Sequence, residues 1–185
     1  AVTGRQSQTW LRTDAGWRFD TKAAPGEIRA RRIGRNELAA ILVALAYTDA
    51  QEEYYARNPG KSAARHFASR ALSTPGKRDG LYWAASARER ESPAGPLLAN
   101  AKPGQGYYGY RYRILSAQGP DAPGGAKRYV RNGLMTDGYA LVAWPQRYGD
   151  TGVMTFIVSR DGMVYQKNLG PQTPKLAAAI TAYNP

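Results

Sequence analysis

Cysteine is absent from this sequence of 185 residues. A disulfide framework, a thiol nucleophile and every cysteine-based metal site are therefore excluded, while oxidising and reducing compartments both stay open. Histidine is nearly absent too. His66 is the single one, so a histidine metal cluster is impossible and a Ser-His-Asp arrangement would have one possible base, with no Gly-x-Ser-x-Gly stretch to go with it. Long apolar runs are missing: Leu38 to Ala46 is about half the roughly 18 residues a membrane span needs, and it ends in Tyr47-Thr48-Asp49. Acids are few, 14 Asp and Glu against 26 Lys and Arg. A glycosidase pair of carboxylates would have to come from Asp79, Glu52, Glu53 or Asp161. Neither a catalytic residue nor a metal or organic cofactor is expected.

What is present is ordinary globular material, 43% hydrophobic and 22% charged, with a net charge of +12. The charge is spread along the chain and favours anionic partners: nucleic acid, the lipid A face of an outer membrane, anionic glycans or acidic proteins. The densest run, Arg29-Ala-Arg-Arg-Ile-Gly-Arg35, reads as a solvated face just upstream of a helix. The chain begins AVTGRQ without Met, as a trimmed chain or a form left by a signal peptidase would.

Residues 1–25 are expected to be loosely ordered, with Gly16-Trp-Arg-Phe-Asp20 as a short edge strand, and residues 26–185 to form one domain. Asn36 suits an N-cap, and a helix over 36–58 should end at Asn58-Pro59-Gly60. Leu38, Ile41, Leu42, Leu45 and Ala46 recur at three and four, which predicts a buried first half and a wet second half carrying Tyr47, Tyr54 and Tyr55. Lys61 to Leu72 has the spacing of a second, short helix. Residues 73–106 read as a loop-rich insert, with a helical turn over Ala94 to Ala99. From Tyr107 the period is two, with Tyr108, Tyr110, Tyr112 and Ile114 on one face and Arg111 and Arg113 on the other. Asn132-Gly133 is a turn. The strands Tyr139 to Trp144, Val153 to Ser159 and Met163 to Lys167 follow, the last two joined at Asp161-Gly162 as a two-residue turn. These make a sheet over 107–168. A final helix over 173–183, capped by Thr173 with Pro174 at its first position, completes an α+β fold: a long helix on one face of a four-stranded antiparallel meander, and a short C-terminal helix.

Pro-Gly-Lys occurs twice, at Pro59 and Pro75. Neither copy is a nucleotide loop: Tyr55 stands where the first would need glycine, and Arg78 where the second would need a magnesium-binding Ser or Thr. The second copy opens Thr74-Pro-Gly-Lys-Arg-Asp-Gly-Leu-Tyr-Trp83, whose charged tip and aromatic exit the core periodicity does not explain. Tyr and Arg interleaved suit stacking on sugars or bases. The candidate ligand-binding residues are Lys77, Arg78, Asp79, Tyr82, Trp83, Tyr110 and Arg111. The blander reading of Tyr110 and Arg111 is a tyrosine row lining the core and arginines facing water.

Six blocks, GWRFDT (16–21), IRARRIGRNELAAI (28–41), LSTPGKRDGLYW (72–83), GYRYRILSAQGP (109–120), ALVAWPQRYGDTGVMTFIV (140–158) and DGMVYQKNLGP (161–171), together resemble a bacterial family classed as a domain of unknown function, number two thousand nine hundred and fifty. The resemblance implies a secreted or periplasmic protein of Gram-negative bacteria and supplies no catalytic residues. The element order is also similar to the globular part of type IV pilins and type II secretion pseudopilins, although some 36 polar residues stand where those proteins begin with an apolar helix. The function expected is a non-enzymatic periplasmic or envelope-associated binding or assembly module with a pilin-like fold. Its partner would be an envelope protein or an anionic surface polymer. The alternatives are a hydrolase of envelope glycans, using Asp79 and Arg78, and a polyanion or nucleic-acid binder.

Overall fold

A computed structural model of the chain describes residues 10–84, 91–95 and 106–185. The chain opens in a hairpin, β1 (Trp10–Thr13) and β2 (Gly16–Phe19), antiparallel with Trp10 opposite Phe19 and Arg12 opposite Trp17. Gly16 turns the corner at φ +109°, a value that strongly favours glycine. The edge strand expected over Gly16 to Asp20 thus has a partner within a segment expected to be loose.

The long helix α1 runs Ala24–Arg57, beginning well before Asn36. Asp20 explains the earlier start. Its carboxylate accepts from the amides of Lys22 and Ala23, each at 3.0 Å, and Pro25 sits in the first turn, where its missing N–H costs nothing. Glu27 pairs with Arg31 one turn on. Asn36 is therefore no cap: its side chain donates to the Thr151 carbonyl at 2.8 Å. Arg32 pairs with Asp150, and Glu37 accepts from the amides of Val153 (2.8 Å) and Met154 (3.0 Å). Much of what reads in sequence as a polar lead-in is helix tied to the sheet. The C-terminal end agrees with expectation, Asn58 taking φ +45° and donating its N–H to the Tyr54 carbonyl.

Lys61 to Leu72 is not helical. Partners outside any local helix take its backbone: Phe67 N–H donates to Met135, and Gln51 bonds both the N–H and the C=O of Ala68, each at 2.8 Å.

Four strands form the main sheet, β3 (Tyr110–Leu115), β8 (Ala140–Pro145), β9 (Met154–Ser159) and β10 (Val164–Asn168), antiparallel in the order β10-β9-β8-β3. Between β3 and β8 the chain makes two small ribbons, β4 (Ala117–Gln118) with β5 (Lys127–Arg128) and β6 (Val130–Arg131) with β7 (Leu134–Met135). Asn132 and Gly133 turn the second with φ +49° and +79°. At the β9–β10 connection only Gly162 takes a positive φ, so this turn is longer than a two-residue one, and Asp161 braces it by accepting from the Met163 amide at 3.0 Å.

α1 covers the face of the sheet that carries Tyr110, Ala143 and Phe156, which pack with Ala40. The other face is covered as well. α2 (Thr173–Ala179), shorter than the expected 173–183, packs on β8, and Tyr183 beyond it bridges to Gln118. Thr173 does not cap α2: its hydroxyl donates to Gly170 at 2.6 Å. Arg113 points not to water but to the C-terminal end of α2, donating to the carbonyls of Ala177, Ala178 and Ile180, where a cation complements the helix dipole. Buried on both sides, β8 is almost wholly inaccessible. The fold is α+β as expected. The helical turn expected over Ala94 to Ala99 runs beyond the described residues.

Candidate functional site

The segment Arg70 to Trp83 is a loop fixed at its neck and braced inside. At the neck Leu72 bridges Tyr82, with Ser73 N–H donating to Tyr82 at 2.8 Å and Tyr82 N–H to Ala71 at 2.9 Å. Gly80 passes so close to the Leu72 backbone that a Cβ there would lie 2.7 Å from its carbonyl carbon. Inside the loop, Asp79 accepts from Thr74 twice, from N–H and Oγ1, both at 2.8 Å, with Arg70 3.7 Å away. Burial alone would push the Asp79 carboxyl up. The two bonds from Thr74 and the Arg70 charge outweigh it and hold the carboxyl below its ordinary range. The Tyr54 hydroxyl donates to the Arg78 carbonyl at 2.8 Å and so fixes the loop to the second half of α1.

These braces leave a concavity of about 430 Å³ lined by Leu72 to Arg78, Tyr82, Trp83 and Ala84. The Arg78 guanidinium lies over the Trp83 indole, 6.0 Å from the ring centroid, where the ring's negative face attracts a cation. Four candidate residues, Lys77, Arg78, Tyr82 and Trp83, thus line one hollow, and Asp79 shapes it from within. Tyr110 and Arg111 do not join them. Tyr110 is fully buried beside Ala40, its hydroxyl donating to Met154 at 2.9 Å. Ala40 is about 20 Å along α1 from Tyr54, at 1.5 Å per residue. Arg111 is exposed and opposite Trp144 on β8. Of the tyrosine row, Tyr108 lies before the strand, 56% exposed in a turn at φ +49°.

A second cavity, of about 350 Å³, was not anticipated. It lies between α1, β3 and the loop, walled by Val43, Tyr47, Leu81, Tyr107, Tyr112 and Leu141, with Arg70 and Arg113 at its margin. Burial pushes the Tyr112 hydroxyl well up, so it stays a neutral donor. Both arginines are already engaged, with Asp79 and with α2. The alternation of Tyr110, Tyr112 and Ile114 signalled a core face, but not that small residues such as Ala71 and Ala94 would leave space against it.

His66 is exposed. Its Nδ1 is 3.2 Å from the Ala64 carbonyl, and its ring meets Tyr54 edge-on at 5.9 Å. Among the described residues no group of three His, Asp or Glu could hold a metal ion, and no helix is long and apolar enough to cross a membrane.

The fold and the site define a small α+β protein with a braced, cationic and aromatic hollow built from one loop. The chain belongs to the family described as Protein of unknown function (DUF2950), whose model matches residues 9–185. No curated protein and no solved structure matches the chain.

Proposed function

We propose that the protein is a non-catalytic, envelope-associated binding module that holds an anionic sugar polymer in the hollow of the Ser73–Trp83 loop. One observation carries this reading: two cations, Lys77 and Arg78, and two aromatic rings, Tyr82 and Trp83, line a preformed hollow of about 430 Å³. A sugar ring stacks on an indole through its C–H face, while its carboxylate or sulfate takes donors from Arg and Lys. Pre-bracing by Asp79, Thr74 and Tyr54 lowers the ordering cost on binding. Because Thr74 and Arg70 occupy Asp79, the carboxylate a glycan hydrolase would need, the geometry favours holding over cleaving. The net charge of +12 works in the same direction by steering a polyanion to the surface. The periplasmic or secreted location, and the signal peptide that goes with it, rest on the family resemblance. The pilin-like part of the reading rests on element order, a long helix followed by an antiparallel meander.

Calorimetric titration with oligogalacturonate, and with neutral dextran as control, tests the reading. Binding confined to the acidic oligomer, weakened about tenfold or more by Trp83→Ala and by Arg78→Ala, is expected. Equal binding by a variant carrying both Arg78→Ala and Trp83→Ala, or equal affinity for dextran, would overturn it.

A further inference from the structure

The outward face of α1 carries Ile28, Arg31, Arg35, Leu38, Leu42, Leu45 and Asp49, every one exposed. Their separations alternate three, four, three, four, three, four. That is the spacing of a coiled-coil seam, held over three heptads on the side of the helix turned away from the sheet. The stripe is not part of the protein's own core: Leu38 and Leu42 are 59% and 58% exposed. It is also not uniformly apolar. Its N-terminal end is cationic, its middle is leucine, and its C-terminal end is Asp49.

This polarity selects an occupant. Laid parallel on a second copy, the seam would place Arg31 on Arg31, Arg35 on Arg35 and Asp49 on Asp49. Laid antiparallel about a two-fold axis near Leu38 and Leu42, it places Leu38 against Leu42 of the second copy, Arg35 against Leu45 and Arg31 against Asp49, each pair occurring twice by symmetry. Three of the residues flanking the seam are small: Gly34, Ala39 and Ala46. Gly34 has no atom near the position of a Cβ and lies in a shallow groove with Ile28, Arg31 and Arg35. Arg31 keeps 64% of its side chain exposed despite its bond to Glu27 and can take a second carboxylate.

We propose that α1 docks antiparallel on α1 of a second copy of this chain, through the seam Arg31 to Asp49. The surface is separate from the loop hollow and independent of what that hollow binds.

Sedimentation velocity of the whole protein over a concentration series tests the proposal. A monomer–dimer equilibrium is expected, with Leu42→Asp raising the dissociation constant about a hundredfold while leaving the circular dichroism spectrum unchanged. Arg31→Asp and Asp49→Arg should each weaken the dimer about tenfold, and the two together should restore it. The chain has no cysteine, so orientation can be read directly. Mixing Leu38→Cys with Leu42→Cys protein under oxidation should give the mixed disulfide ahead of either homodimer. A monomer at all concentrations, no recovery in the double charge swap, or homodimer disulfides leading would overturn it. So would a monomer that binds vesicles of anionic phospholipid through Leu42, the stripe then being a lipid-facing surface.

Discussion

On one face of α1 stand Ala40, Ala44, Tyr47, Gln51 and Tyr54, none more than 4% exposed; on the other stand Leu38, Leu42 and Leu45, 59, 58 and 39% exposed. Three leucines of the helix are outside, and a glutamine and two tyrosines are inside. The inner face succeeds because its residues answer the needs of their neighbours. Ala40 and Ala44 let the helix approach Tyr110, Phe156 and Leu141 closely. Tyr47 meets Tyr139 edge-on at 5.6 Å and donates to the Ala140 carbonyl, and Gln51 and Tyr54 fasten the non-helical segment and the loop. Burial follows from what the opposite surface lacks, not from hydropathy alone.

The strongest way to break the inner face is at Gln51. Its amide satisfies both backbone groups of Ala68 and donates to the Tyr47 hydroxyl at 3.0 Å, all inside the core. Gln51→Ala leaves a buried N–H and a buried C=O unpaired and is expected to destabilise the protein by about 4 kcal/mol, at 1–3 kcal/mol for each orphaned group plus the lost packing. The urea-unfolding midpoint measures this. A loss under about 1 kcal/mol would mean that water replaces the amide.

A smaller effect is expected at the loop that Tyr54 anchors. The Asp79 carboxyl is held below its ordinary value in the folded state, so its contribution is complete above the unfolded value near 3.8 and disappears as pH falls through the lower folded value. Trp83 emission should therefore change in an acid transition below about pH 4, before global unfolding, and Asp79→Asn should abolish that transition. Since the Asp79 side chain is 39% exposed, the effect belongs to the loop and not to the whole fold. An unaltered acid transition in Asp79→Asn would assign it to another group.

The same contrast explains what the sequence made legible. The strands of the meander were readable because alternation and Asn-Gly or Asp-Gly punctuation are local signals, as were the Asn58 helix stop and the clustering of Lys77, Arg78, Tyr82 and Trp83 within a few residues. The helix start was hidden, because Asp20 acts through a turn ahead of the helix and the polar residues Arg32, Asn36 and Glu37 find partners at Asp150, Thr151, Val153 and Met154, far along the chain. Lys61 to Leu72 departs from its helical spacing for the same reason. Its helical spacing is real, but Met135 and Gln51 take its backbone. Tyr110 follows the expected loop-rich insert over 73–106 by a few residues, yet packs beside Ala40, at the far end of α1 from Tyr54 and the loop; proximity along a chain is a poor guide to a site once a sheet intervenes. The leucine spacing marks one face of α1, but the exposed one and not the buried one, since period fixes a face but not which face turns inward.

The smallest expected effect is the one that sharpens this point. Leu42 and Val43 are adjacent in sequence and fall on opposite sides of α1, 58% and 6% exposed. Val43→Ala removes two buried methyl groups and should cost about 1.6 kcal/mol at 0.8 kcal/mol for each. Leu42→Ala removes more hydrocarbon, yet in dilute protein it should change stability by less than about 0.5 kcal/mol, because the side chain is largely in water and alanine is the better helix former. The amount of hydrocarbon removed, taken alone, predicts the reverse order. Measured side by side in urea at low protein concentration, the pair reports which face of α1 is core. A Leu42→Ala cost that grows with protein concentration would come from the second copy, because only an associated state can make that leucine matter.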